Sequence, residues 1–164
     1  FSTMATYMYE DAVKLPVALF VVELLTTVAR HEHENRQLFE FVDASIDVLE
    51  LDGEHTANFH LVFMTMLTRL VGIAPDEETY AAGSWLDLRE GCFTLLRPAH
   101  QDVAHPEVAR RIALFLRGGF EGVAMPMNRD ERNCCLDALM DYYRLHLPSF
   151  PELKSVAILR QLFQ

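Results

Sequence analysis

Phe59-His60-Leu61-Val62-Phe63-Met64-Thr65-Met66-Leu67-Thr68-Arg69-Leu70 decides the fold class. Phe59, Val62, Phe63, Met66, Leu67 and Leu70 fall at i, i+3, i+4, i+7, i+8 and i+11. That is one stripe of an α-helix, whereas a half-buried strand would alternate. Gly72 supplies the residue that tolerates a left-handed cap, and Pro75 prevents the helix from resuming.

The same period recurs on both sides. Upstream, about Asp11 to His31 is apolar nearly all round (Leu15, Val17, Leu19, Val21, Val22, Leu24, Leu25, Val28), the pattern of a helix at the centre of a bundle. Arg36 to Leu51 places Leu38, Phe41, Val42, Ser45, Ile46 and Leu49 on one face, Glu40, Asp43, Asp47 and Glu50 mostly elsewhere, and Asp52-Gly53 as its end. Downstream, Pro106 opens a helix with Val108, Ile112 and Phe115 inward and Gly118-Gly119 as terminator. Asn128 with Glu131 predicts a capping box for a fifth helix bearing Leu136, Leu139, Met140, Tyr143 and Leu147, stopped by Pro148. Ser149 with Glu152 predicts a second box, for a sixth helix carrying Leu153, Val156, Leu159 and Phe163. Between Ala74 and Ala104 the helical period fails. Ser84-Trp85-Leu86-Asp87-Leu88, the turn Arg89-Glu90-Gly91, and Cys92-Phe93-Thr94-Leu95 read as a hairpin, too small to stand alone. The expectation is one mainly α domain over residues 1–164, a bundle of about six helices with a hairpin inserted at about 84–95.

With 164 residues, half of them apolar, such a chain buries about 70% of its unfolded surface and needs no staples. Cys92, Cys134 and Cys135 form no disulfide framework, which fits a reducing cytoplasm. Val17 to Val22 is far shorter than the ~20 apolar residues that span a bilayer. The start at Phe1 suggests a preceding domain, although a disordered start would look the same. Charge is unevenly spread: residues 1–96 carry five Lys/Arg against sixteen Asp/Glu, net −11, and residues 97–164 carry nine against eight, net +1. An acidic sheath repels phosphate backbones, so the chain alone is not expected to bind DNA strongly.

The motifs for chemistry are weak. His31-Glu32-His33-Glu34 places its histidines two apart, about 200° around a helix, where HExxH needs four; a solvated helix end explains it. Asp52-Gly53-Glu54-His55 and Asp102-Val103-Ala104-His105 have the Asp-x-x-His spacing, but in loops or at helix starts rather than mid-helix. Cys134 and Cys135, in the first turns of the fifth helix, face different ways; one should fill core and the other lie at the surface. Cys92 has no partner at zinc spacing. No phosphate loop, nucleophile elbow or kinase signature occurs, so no enzyme activity, metal or cofactor is expected. Arg97, Arg110, Arg111 and Arg117, with Arg69 at the end of the third helix, are ordinary solvated arginines or the cationic half of a slot for an acidic, hydrophobic peptide end.

Tyr142-Tyr143-Arg144-Leu145-His146-Leu147-Pro148-Ser149-Phe150-Pro151-Glu152-Leu153-Lys154-Ser155-Val156-Ala157-Ile158-Leu159 closely resembles the C-terminal signature of RecO proteins. The resemblance rests on Tyr142, Tyr143, Arg144, His146, Leu147, Pro148, Leu153, Lys154 and Ser155. Phe59 to Val62 through Gly72-Ile73-Ala74-Pro75 is similar to a family helix and its stop, and Gly91 and Phe93 fall where members carry a Gly-rich hairpin. Tyr9-Glu10-Asp11-Ala12-Val13-Lys14 is similar to the hand-over from the family's N-terminal OB-fold, which this chain lacks.

The resemblance implies a cytoplasmic, nucleoid-associated bacterial factor for DNA repair and recombination. Such a factor anneals strands and helps load RecA onto DNA coated by single-stranded-DNA-binding protein (SSB), working with RecR and sometimes RecF. It implies that single-stranded and duplex DNA are held mainly by the OB-fold, and that the helical part docks the acidic, Phe-ending tail of SSB. For that tail the expected residues are Arg69, Arg110, Arg111 and Arg117, with Phe63, Met66 and Leu70 as the apolar slot. Many members carry two Cys-x-x-Cys pairs around the hairpin. Here Thr79-Tyr80-Ala81-Ala82-Gly83 stands at the first and only Cys92 remains of the second, so no zinc is expected. Two other classes compete: an all-α small-ligand sensor, from the Phe- and Met-rich helices, and a carboxylate–histidine metalloenzyme, from the Asp-x-x-His pairs.

Overall fold

A computed structural model describes residues 14–29, 35–51 and 56–162. The expectations at residues 9–13, 30–34, 52–55 and 163 lie outside the described residues. In chain order the elements are α1 (Lys14–Ala29), α2 (Arg36–Leu51), α3 (Phe59–Leu70), β1 (Trp85–Asp87), β2 (Cys92–Thr94), β3 (Val103–Ala104), α4 (Pro106–Gly118), α5 (Arg129–His146) and α6 (Val156–Leu162). Single 3-10 turns lie at Thr56–Asn58 and Glu77–Thr79, and a longer one at Gly119–Ala124. The mainly α architecture expected from the periodicity is the one observed.

The centre of the bundle is α3, not α1. Leu61, Val62, Phe63, Met64 and Leu67 are fully buried, and α3 packs against α1, α2, α4 and α5. Its polar groups are satisfied locally: Thr65 Oγ1 donates to Leu61 O (2.8 Å) and Thr68 Oγ1 to Thr65 O (2.5 Å). Helix α1 buries only Val17, Phe20, Val21, Leu24 and Val28 and leaves Leu19 53% and Val22 59% exposed. One face is all a helix at the margin of a bundle needs. The surplus apolar residues of α1 made it look central.

Four phenylalanines lock α2 and the Gly119–Ala124 turn onto α3. Phe41 stacks on Phe63 (5.1 Å) and Phe120 (6.1 Å), and Phe59 stacks on Phe63 (6.0 Å) and Phe120 (5.8 Å). The end of α3 is a Schellman motif. Gly72 sits at φ +81, Ile73 N–H donates to Thr68 O (2.9 Å) and Gly72 N–H to Arg69 O (3.3 Å). The glycine and the bonds together end the helix where the sequence placed its stop.

The hairpin is present with register Trp85↔Thr94, Leu86↔Phe93 and Asp87↔Cys92. It gains an unforeseen third strand, since β3 pairs antiparallel to the other edge of β1 and the order is β2-β1-β3. At the position of the missing first cysteine pair, Phe93 N–H donates to Thr79 Oγ1 (2.9 Å) and Tyr80 meets Phe93 edge-on (5.2 Å). Those contacts join the segment before the hairpin to β2.

Helix α5 begins with the predicted capping box: Glu131 N–H donates to Asn128 Oδ1 (2.8 Å) and Asn128 N–H to Glu131 Oε2 (2.9 Å). The second predicted box is not formed. Ser149 lies at φ +58 and α6 starts only at Val156. The chain reverses at Ser149 so that Phe150 can stack on Tyr143 (5.5 Å) and Leu153 can bury.

Three rings of α5 then donate to backbone carbonyls of other elements. Tyr143 Oη donates to Met64 O in α3 (2.7 Å), Tyr142 Oη to Ile73 O just beyond α3, and His146 Nε2 to Leu88 O after β1 (2.7 Å). Because a carbonyl only accepts, Nε2 of His146 carries the proton. Gly91 makes this possible: it sits at φ +69, and a Cβ there would stand 2.9 Å from Tyr142 Oη. Tyr143→Phe should cost about 1 kcal/mol, the net worth of one buried hydrogen bond. Gly91→Ala should cost more, because strain and the clash with Tyr142 add. Urea denaturation of the three proteins measures both, and a Gly91→Ala variant as stable as the parent would refute the close-approach account.

Candidate functional site

The entry to α6 is held by a residue of α1. Glu23 of α1 accepts from Lys154 N–H (3.0 Å), Ser155 N–H (3.0 Å) and Ser155 Oγ–H (2.7 Å). A carboxylate there also meets the positive end of α6. Burial alone would raise the affinity of Glu23 for a proton. The bonds from Ser155 and Lys154, with the charge of Lys154, outweigh burial and hold its pKa below the ordinary 4.5.

Held in this way, α6 and the strap before it form an open groove of about 590 Å³ with α5. Met140 and Leu153, both buried, give it an apolar floor with Val156 and Ala157. Its charged rim is Arg144, Lys154 and Arg160 against Asp137 and Glu152. Arg144 pairs with Asp141 (2.9 Å) and Arg160 with Asp137. Three of the signature residues, Arg144, Leu153 and Lys154, therefore line a surface slot. Tyr142, Tyr143, His146 and Ser155 instead hold the scaffold together.

The seven residues expected for an acidic peptide are not brought into one site. Phe63 is fully buried inside the aromatic stack. Met66 and Leu70 are partly buried against the core. Arg69 pairs with Glu77 (2.9 Å), while Arg117 lies over the Tyr80 ring (5.3 Å) and donates to Glu77 O (3.3 Å). Those two arginines flank a polar hollow of about 340 Å³ with Glu77 and Glu78. Arg110 is exposed and pairs with Glu107 (3.3 Å). Arg111 is 8% exposed and pairs with Glu131 (3.0 Å). Arg97 caps the Trp85 ring at 5.1 Å. Helical spacing hid the α5–α6 groove, because its cations belong to three separate segments.

The motifs for chemistry are dispersed. Asp102 accepts from Arg89 Nε (2.5 Å), whereas His105 packs on Trp85 (4.7 Å), so the pair does not act together. Among the described residues no group of three His, Cys, Asp or Glu is placed to hold a metal ion. Cys134 is exposed and Cys135 buried, as expected, and burial pushes the Cys135 thiol up to about 12. His60, in the core against Phe20, is driven down to about 3 by burial first and by the charge of Arg132 second. Phe59, Phe63, Phe115, Met64 and Met140, which suggested a ligand pocket, are buried core. Among the described residues no helix is long and apolar enough to cross a membrane.

A family model described as Recombination protein O C terminal matches residues 9–156. The chain belongs to this RecO C-terminal family. It is 42% identical over 154 residues to the DNA repair protein RecO of Phocaeicola vulgatus, covering 93% of this chain and 64% of that protein. It is 40% identical over 159 residues to the RecO of Porphyromonas gingivalis, again covering 93% and 64%. With the RecO of Flavobacterium johnsoniae it shares 27% over 155 residues, covering 94% and 64%. The chain thus spans 64% of the length of these RecO relatives. No solved structure gives a significant match.

The Glu23 clasp makes a pH prediction. A group whose pKa is lowered on folding stabilises fully above its unfolded value, and the contribution is lost as pH falls through the folded one. Amide protection of α6, corrected for intrinsic exchange, should therefore be flat above the ordinary 4.5 and decline below it. Glu23→Gln should lower protection at neutral pH about fivefold, the worth of one cap, and flatten the acid decline. Equal protection in both proteins across that range would show that α6 is held by something else.

Proposed function

We propose that this chain is the partner-docking part of a bacterial recombination mediator in DNA repair, and that the α5–α6 groove receives the acidic, Phe-ending tail of SSB. The groove carries the reading. An apolar floor fits an aromatic ring, and Arg144, Lys154 and Arg160 on the rim fit carboxylates. The arginines of α3 and α4 support it less well, because Arg69 and Arg117 flank a polar hollow with Glu77 and Glu78, and Arg111 lies in a groove rimmed mostly by carboxylates. Docking there brings the mediator to SSB-coated DNA, where RecA is loaded and strands annealed together with RecR and, in some bacteria, RecF. DNA itself is assigned to an OB-fold outside this chain, in keeping with the net charge of −10. Three features support the reading together: the family, the likeness to DNA repair proteins, and a site built for binding rather than for making bonds.

The test is fluorescence anisotropy with a labelled peptide ending in aspartates and phenylalanine. Binding should weaken with salt, as exposed charge pairs do. Arg144→Glu with Lys154→Glu should raise Kd at least about tenfold, two rim contacts being lost. Arg110→Glu, which disturbs a pair on α4, should change it little. Loss of binding in Arg110→Glu with none in the double variant would move the site to α4.

A further inference from the structure

Next to the α5–α6 groove along α5, sharing Asp137, lies a second groove of about 500 Å³, between α5, α4 and β3. Its floor is apolar and made of small or aliphatic residues: Leu88, Val103, Ala104, Val108 and Ala138. Its rim bears five carboxylates, Glu107, Asp130, Glu131, Asp137 and Asp141, against one cation, Arg111. Some of this charge is engaged. Glu131 caps α5 and pairs with Arg111, Glu107 pairs with Arg110, and Asp137 and Asp141 reach Arg160 and Arg144 of the neighbouring groove. Asp130, in the first turn of α5, adds to the same rim. Arg111 is 8% exposed and is itself held by Glu131 and Glu107.

We infer that this groove docks a basic segment of a partner protein, one presenting Lys or Arg side chains around a small aliphatic anchor. Charge complementarity selects the occupant. The five rim carboxylates still outnumber the four arginines that line the groove or pair with them, and Asp130 makes none of these pairs, so the rim repels phosphate and acidic peptides and attracts ammonium and guanidinium groups. The apolar floor calls for a peptide side chain rather than a bare cation. This ligand is opposite in sign to the one assigned to the α5–α6 groove, so the inference does not depend on that reading.

The probe is a fluorescein-labelled peptide of alternating lysine and leucine, titrated into the chain by anisotropy at low salt, with the glutamate-for-lysine peptide as reference. Asp130→Asn with Asp141→Asn should raise Kd about tenfold. Ala138→Trp, which fills the floor and leaves every charge in place, should do the same. Circular dichroism confirms that each variant is folded, and the carboxylate variant decides alone if the tryptophan is not tolerated. Asp43→Asn with Asp47→Asn removes equal charge from the exposed face of α2 and should leave Kd within about twofold. No binding to the parent chain would overturn the inference. So would equal weakening by the α2 variant, which would mean attraction to overall acidity. Because the glutamate peptide and Arg144→Glu report on the other groove, failure here is distinguishable from failure there.

Discussion

Three ring groups of α5 reaching three backbone carbonyls hold this domain in one piece. Tyr143 reaches the middle of α3, Tyr142 the exit of α3 and His146 the turn after β1. These carbonyls lie in elements that do not otherwise share a ladder. Without the rings, the hairpin and the bundle would meet through apolar packing, which fixes volume but not register, and through the exposed contacts of Arg69 and Arg117 with Glu77. Each bond is worth about 1 kcal/mol net, yet together they set the azimuth of α5. Both grooves take a wall from α5, so that angle fixes their widths. The RecO signature is thus read here first as architecture. Its tyrosines and histidine orient the helix, and its Arg144, Leu153 and Lys154 are what the helix and strap then present.

The contrast between what could and could not be seen in the sequence follows from the range of the interactions. The Phe59–Leu70 stripe, the Asn128–Glu131 box and the Gly72 stop are written within a few residues, and each is found. Strand β3 has two residues, too few to show any period. The Ser149–Glu152 pattern fits a capping box locally, but Phe150 is claimed by Tyr143, and the tertiary contact wins over the local one. The true partner of the α6 entrance is Glu23, 131 residues from Lys154. No spacing rule connects residues that far apart. Helix α1 misled for a different reason: apolarity on every face says that burial is possible, not which face achieves it.

The candidate site was harder to read than the fold because charges were counted by helix, whereas grooves lie between helices. Arg110, Leu114 and Arg117 do share an exposed stripe of α4, as their spacing demands. Around them stand Glu107, Glu77 and Glu78, drawn from other turns and segments, and these cancel the field. Arg144 and Lys154 belong to the family signature, but with Arg160 they form no charge cluster in the sequence. Only the reversal at Ser149 brings them to one rim.

The two grooves share a wall, and this has a consequence for how they work together. Asp137 lines both, and its partner Arg160 belongs to the α5–α6 groove. Asp141 is likewise tied to Arg144 across the ridge. An acidic ligand that recruits Arg160 and Arg144 competes for the cations that now screen Asp137 and Asp141. Those carboxylates are then freer to act in the neighbouring groove, where a basic ligand would use them. By linkage the converse holds with the same factor. Exposed pairs of this kind are each worth under about 1 kcal/mol, so the coupling is a few-fold at most. Its sign is nonetheless fixed by the geometry: occupants of opposite charge in the two neighbouring grooves should favour, not exclude, one another.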